Sequence, residues 1–411
     1  MRTMIGSLLP TLALWVVLDC SGHGCRALAD QKPVRLTVEG IDQDLSDLPF
    51  VVEVPPARLT PGRYLLRGTS PGPDAPGLVY RDAGKVWLGF VLSRVPARSL
   101  LQFEVEPDRA PASAPAPGSI TVIDRGQRID VELDGHPWTT YVANDGPKPY
   151  FDPLIGPSQR PLTRAWPMRE VAGEPHDHPH HRSLWFAHNN VNRSNTWDEN
   201  PGHGSIRELA RPTVVGGGPV GIIRTEDEWL DRSGRQVCDD ERVVRFYATR
   251  AARIFDFEVT LKATTGSVTM GDNKDGVFGI RLAGPMAVTA NQGGQILNSR
   301  GLKDRAAWGQ AAEWVDYTGP VGGMTAGIAI LNQPTSFRFP TTWHVRDYGL
   351  FAANPFGWHD FGQPNSGDYT IPRGESIRLA YRVVLHDGTT QEAGIGAIYH
   401  AYANPPRVTI P

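Results

Sequence analysis

Five histidines fall within the thirteen residues His176 to His188, in the run HDHPHHRSLWFAH, whereas no other two of the chain's 12 histidines lie within ten positions of each other. Imidazole titrates near neutral pH, exchanges protons and ligates metals, so this run is the first candidate for chemistry. Pro179 disfavours helix at His178 and removes a backbone donor. In an extended segment His178 and His180 point to one side and His181 to the other. Two imidazoles at that spacing can share a metal, or one can act as an acid while the other orients a substrate. Arg182 adds a permanent charge able to hold a carboxylate or a pair of hydroxyls. Trp185 and Asn192 follow as further candidates for ligand contact. No HExxH and no cysteine pair accompanies the cluster, so chemistry without a cofactor is expected, with a metal at His178 and His180 as the alternative. The plainer reading is a polar loop whose histidines are satisfied by backbone and water.

Three later stretches carry similar chemistry. In TTWHVRDYGLFAANPFGWHD, from Thr341 to Asp360, His344 and Asp347 are an acid–base-capable set, and Arg346 and Asn354 are candidate binding groups. His344 and Arg346 share a face of an extended segment, with Asp347 opposite. The structural alternative is an Arg346–Asp347 pair pinning a loop. In GDNKDGVFGIRLAG, from Gly271 to Gly284, Lys274 is either a solvated turn residue or a salt bridge into the site; the spacing does not fit an EF-hand. In WGQAAEWVDYTG, from Trp308 to Gly319, Glu313 stands among indoles and a phenol. Carboxylates beside aromatic rings suit a sugar site, and aromatic rings in a β core are equally ordinary.

The elements that must position these residues read as strands. Ile254 to Ala263 alternates Phe255, Phe257, Val259 and Leu261 with Asp256, Glu258, Thr260 and Lys262, the period of a half-buried antiparallel strand. Glu226–Leu230 and the run from Arg235 flank Asp231 to Gly234 as a hairpin. Strand-like runs also begin at Val34, Phe50, Tyr64, Val86 and Leu100, and only Gln391 to Ala403 predicts a helix. The expected fold class is all-β, with residues 30–106 as a small β-sandwich and 107–118 as a Pro/Ala linker. Residues 119–411 then form a large antiparallel double sheet.

Residues 1–29 have the make-up of an export signal: Arg2, an apolar run from Leu8 to Leu18, and Ala27-Leu28-Ala29 as a cleavage pattern. A periplasmic or extracellular location follows, with a lipid anchor at Cys20 as the alternative. Cleavage removes Cys20 and Cys25, leaving Cys238 and no internal disulfide. It also removes Arg2, Arg26 and Asp19, a net of +1, so the charge of −3 becomes −4. That balance, without basic clusters, argues against nucleic acid as a partner, and no later segment is apolar enough to make this an integral membrane protein. No P-loop, G-x-S-x-G elbow or CxxC is present, and Gly216 to Gly221 lacks the setting of a dinucleotide loop.

Taken in order, YFDPLIGPSQRPLT, DHPHHRSLWFAHNNVN, GDNKDGVFGIR, WVDYTG and PTTWHVRDYGLFAANPFG resemble an exported bacterial family labelled "methane oxygenase PmoA-like", a domain of unknown function. The resemblance runs from about Tyr150 to Phe356 and continues weakly through IPRGESIRLAYRVVLH. Ser183 departs from it where glycine is expected, as does the pair Asn189-Asn190. It implies a β-supersandwich similar to galactose mutarotases and polysaccharide lyases, where sugars lie in a concave face with histidines as acids and a carboxylate as base. The expected function is acid–base catalysis (hydrolysis, elimination or epimerisation) on a sugar or oligosaccharide. His178 or His180 would move the proton, Glu313 or Asp347 would be its partner, and Arg182 and Arg346 would position hydroxyls. The alternatives are a non-catalytic glycan-binding protein and a metal-dependent oxidoreductase.

Overall fold

The computed structural model describes residues 33–55, 58–70, 72–109 and 117–411; the export-signal segment and most of the Pro/Ala stretch lie outside them. The described chain is built almost wholly of antiparallel strands, with one α-helix, Ile395–Ala403. The helix starts four residues later than the sequence pattern predicts, because Gly394 takes a left-handed conformation before it.

Six of the first strands lie in one seven-stranded sheet, in the order Leu45–Glu53, Lys85–Val95, Ala75–Asp82, Gly62–Ser70, Leu100–Pro107 and Val34–Glu39. The seventh strand is Arg407–Thr409, pairing antiparallel with Val34–Glu39. Alternation places Val34, Leu36 and Val38 inward, and they meet Phe50, Leu66, Leu88 and Phe103 in one apolar cluster. Because residues from both ends of the strand order share that cluster, the sheet curls over its own core.

The remaining chain forms two larger sheets. The first runs Trp343–Val345, Leu350–Ala353, Gly276–Arg281, Leu184–His188, Tyr150–Phe151, His136–Val142, Arg128–Leu133 and Ile120–Asp124. The second runs Ser205–Glu208, Val220–Leu230, Gln236–Tyr247, Arg253–Lys262, Ser376–Asp387, Met324–Asn332, Trp314–Val321 and Gln295–Asn298. They enclose one aromatic-rich core: Phe257 of the second sheet meets Phe278 of the first at 4.7 Å, and Phe278 stacks on Tyr381 at 5.0 Å. Phe257 is 1% exposed, and burying such a ring contributes roughly 1.5–3 kcal/mol. The predicted hairpin is present as Val220–Leu230 paired with Gln236–Tyr247.

The second sheet is also covered on its outer side. Val220, Ile222, Val243, Tyr247, Ile254 and Val384 pack there with Leu78 and Tyr80 of the curled sheet and with Ile395 and Tyr402 of the helix. Polar groups caught in this layer are paired: Arg382 forks onto Asp256 at 2.7 and 3.0 Å, and the Tyr247 hydroxyl donates to the same carboxylate. The register of the first sheet aligns His344 with Ala352, Ala352 with Gly279 and Gly279 with Trp185. This row lies on the face opposite Val345, Phe351, Ile280 and Leu184, which belong to the core.

Candidate functional site

The row just described is the floor of the site. A Cβ on Gly279 would come within 2.9 Å of both Trp185 and Trp197, so glycine there lets the two indoles settle onto the sheet. Loops carrying the predicted stretches rise around this floor.

The histidine loop is held from beneath by two guanidiniums. Arg164 is fully buried; it donates to the carbonyls of Asp177 and His178 and pairs with the Asp177 carboxylate. Arg281, 3% exposed, forks onto that carboxylate at 2.8 and 2.9 Å and donates to His181 Nδ1 at 3.2 Å. Burial alone would raise the Asp177 carboxyl, but Arg281, the His178 hydrogen bond and Arg164 together hold it at about 2. Asp177 is therefore ionised at neutral pH.

That carboxylate orients His178. The imidazole Nδ1 lies 2.7 Å from Asp177 Oδ2, so Nδ1–H donates and, in the neutral ring, the lone pair is on Nε2. The ring is stacked between Tyr348, at 5.1 Å, and His181, at 4.7 Å, with interplanar angles of 4° and 5°. His178 adopts a φ of 47° and Ser183 a φ of 54°, the left-handed region that favours glycine. Ser183 holds its place by donating to the Thr163 hydroxyl at 2.8 Å.

Behind it, His181 is 1% exposed and stacks on Trp185 at 5.1 Å; burial, with His180 and Arg281 nearby, holds it well below the usual imidazole range. His180 faces Asp198 at 3.4 Å, and burial brings it down to about 4 against the pull of that carboxylate. Asp198 is itself fixed by the side-chain amides of Asn189 and Asn195, at 3.0 and 2.8 Å.

On the other side, His344 accepts a hydrogen bond from Trp308 Nε1 at 2.9 Å, so its proton sits on Nε2, 3.7 Å from Asp275 Oδ1. Burial, and then the charges of Arg346 and Lys274, lower His344 to about 3, which keeps it neutral. The Asp275 carboxyl moves the opposite way: burial raises it, Lys274 at 3.2 Å partly offsets this, and Asp198 and Asp360 raise it further. Arg346 lies 5.6 Å over Trp308 and 5.6 Å over Tyr348.

The structure thus brings together His178, His180, His181, His344, Lys274 and Arg346. Other expected site residues lie elsewhere or are committed. Glu313 bonds the Ser299 hydroxyl, and its charge bears on Tyr399 of the helix. Asp347 pairs with Arg305 at 2.8 Å, not with Arg346. Arg182 forks onto Glu199 at 2.7 and 2.8 Å, beside the buried Lys148. Trp185 is fully buried and offers no face to a ligand. Asn192 ties Ser267 and Thr269 to its own loop. Asn354, also buried, donates to the carbonyls of Asn273 and Lys274 and so sets the turn that presents Asp275. Four members had not been singled out as site residues: Asp177, Asp198, Asp275 and Tyr348. Asp177 was legible as the one carboxylate inside the histidine run, whereas Asp198 carries no local signal.

Among the described residues, no three His, Cys, Asp or Glu side chains are grouped as metal ligands. No helix among them is long and apolar enough to cross a membrane. A cavity of about 270 Å³ lies elsewhere, between the Leu45–Pro49 segment and the helix, and contains none of the clustered groups. Asp47, one of its acidic lining residues, accepts from the Arg250 and Ala251 amides.

A family model described as "Family of unknown function (DUF6807)" matches residues 128–400, and the chain belongs to that family. No curated protein matches it.

Proposed function

Since that family carries no assigned activity, we propose from the site itself that the protein is an acid–base enzyme acting on a sugar or oligosaccharide. The observation that carries this reading is the Asp177–His178 pair: an ionised carboxylate holding an imidazole by Nδ1, so that Nε2 has no hydrogen-bond partner among the described residues. Asp275, raised by burial and faced by the Nε2–H of His344, is the counterpart that can hold or release a proton. Half-buried rings of Trp308 and Tyr348 beside these polar groups suit the apolar faces and hydroxyls of a sugar. In this reading Asp177 and Asp275 take the places that sequence reasoning gave to Glu313 and Asp347. The finer likeness to PmoA-like sequences rests on the quoted sequence words, and export on the composition of residues 1–29.

The test is a panel of acidic and neutral oligosaccharides incubated with the protein and followed by mass spectrometry. Turnover by the wild type should fall about 10²–10⁴-fold in His178→Asn, the usual contribution of a positioned acid–base group. Thermal unfolding should be little changed. Equal turnover in a folded His178→Asn removes the pair from the mechanism, and binding without product from any substrate favours a glycan-binding protein.

A further inference from the structure

Resting on that reading, we infer that the substrate carries a carboxylate, received by Arg346, and so belongs to the uronic-acid class of sugars. Each neighbouring cation already has an anion. Arg164 and Arg281 share Asp177, Arg182 holds Glu199, Arg305 holds Asp347 and Lys274 holds Asp275. The Arg346 guanidinium makes no hydrogen bond or ion pair with any described residue, although Asp347 is adjacent to it in sequence. It is half-buried, and its guanidinium is steered by two aromatic rings rather than by an anion. Such rings fix the plane of a guanidinium while leaving its N–H donors unspent, the arrangement suited to forked capture of a planar carboxylate.

The position of that guanidinium gives the inference its chemistry. Tyr348 lies 5.6 Å from Arg346 and 5.1 Å from the His178 ring, so one phenol separates the anion receiver from the proton acceptor. In a uronate the C–H next to the carboxylate is acidic once the carboxylate charge is paired. With the carboxylate on Arg346, that proton passes to His178 Nε2, and the electron pair of the broken C–H bond spreads onto the carboxylate oxygens, where Arg346 meets the added charge. Neutral sugars supply no such group, and the arginine would remain unmatched.

The experiment uses the full chain and chemically matched pairs: a uronate-containing oligosaccharide and its carboxyl-reduced counterpart, with a sulfated oligosaccharide of equal charge as a third ligand. Binding is read by calorimetry or ligand-observed NMR. The acidic member should bind about 10- to 100-fold more tightly than its reduced partner, and Arg346→Gln should abolish that difference without weakening the reduced partner. Arg346→Lys should restore part of it, and His178→Asn should leave binding intact while stopping turnover. Equal affinity within each pair, no acidic member binding at millimolar concentration, preference for the sulfated ligand, or an unchanged difference in Arg346→Gln would each overturn the inference. Because the binding arms do not involve proton transfer, they separate its failure from failure of the His178 reading, which only the turnover arm tests.

Discussion

Acidification below about pH 6.5 should destabilise this protein, and His188 supplies a measurable share. This side chain is fully buried; its Nε2 donates to the Gly271 carbonyl at 2.7 Å, while Nδ1 has no hydrogen-bond partner among the described residues and faces Gly276. Burial lowers it from 6.5 to about 4, although the Gly271 and Asp275 backbone groups oppose the shift. The folded value lies below the unfolded one, so between the two the unfolded chain binds a proton that the folded chain does not. The contribution of His188 is therefore intact above about pH 6.5 and lost as pH falls toward about 4. At about 1.4 kcal/mol per pH unit, this amounts to about 3 kcal/mol. The assay is urea unfolding by tryptophan fluorescence at several pH values between about 7 and 4, comparing wild type with His188→Gln, which keeps a donor for Gly271. Wild type should lose its advantage progressively across this window. If the two stability curves run parallel, the buried imidazole is not being kept neutral and the reasoning fails.

Two further predictions concern other polar groups. His386 donates to Asp316 Oδ1 at 3.1 Å with both groups buried, and although burial opposes it, the carboxylate raises the imidazole above its usual value. That stabilisation is full below the ordinary histidine pKa and fades as pH rises through the raised one. Asp316→Asn should cost about 3–5 kcal/mol in acid and progressively less in alkali, measured by urea unfolding, and a pH-independent loss would refute the pairing. Arg182→Gln removes the fork onto Glu199 and should lower stability by about 1.5–3 kcal/mol without changing KM. A raised KM with unchanged stability would return Arg182 to the substrate.

The alternating strand around Phe257 was legible because its two faces meet different surroundings, core against paired polar groups. Its neighbour Gln236–Tyr247 hid its burial: Asp239, Asp240 and Arg242 are buried there, so polarity did not mark a solvent face. Arg242 satisfies Asp240 at 2.8 Å and Asp227 at 3.3 Å, a network built only when two strands pair. The strand Ala75–Asp82 was absent from the sequence reading; Pro76 and Gly77, residue types that strands disfavour, stand at its start. In the site, the histidine loop was visible by density, but its keeper was not. Arg281 reaches Asp177 across more than a hundred residues, a separation that no local pattern spans. The choice of Asp347 for Arg305 rather than its neighbour is likewise a tertiary decision.

The pairing of Arg407–Thr409 with Val34–Glu39 sets an order on biosynthesis. Six strands of the curled sheet are made early, yet the seventh is threaded in only after the whole double sheet has been synthesised. Until then Val34–Glu39 shows an open edge, a place where another nascent chain can add itself. Completion of the first module thus waits on a strand translated only after the double sheet, and a bulky domain inserted immediately after Thr409 would compete with the closing step rather than hang harmlessly from it.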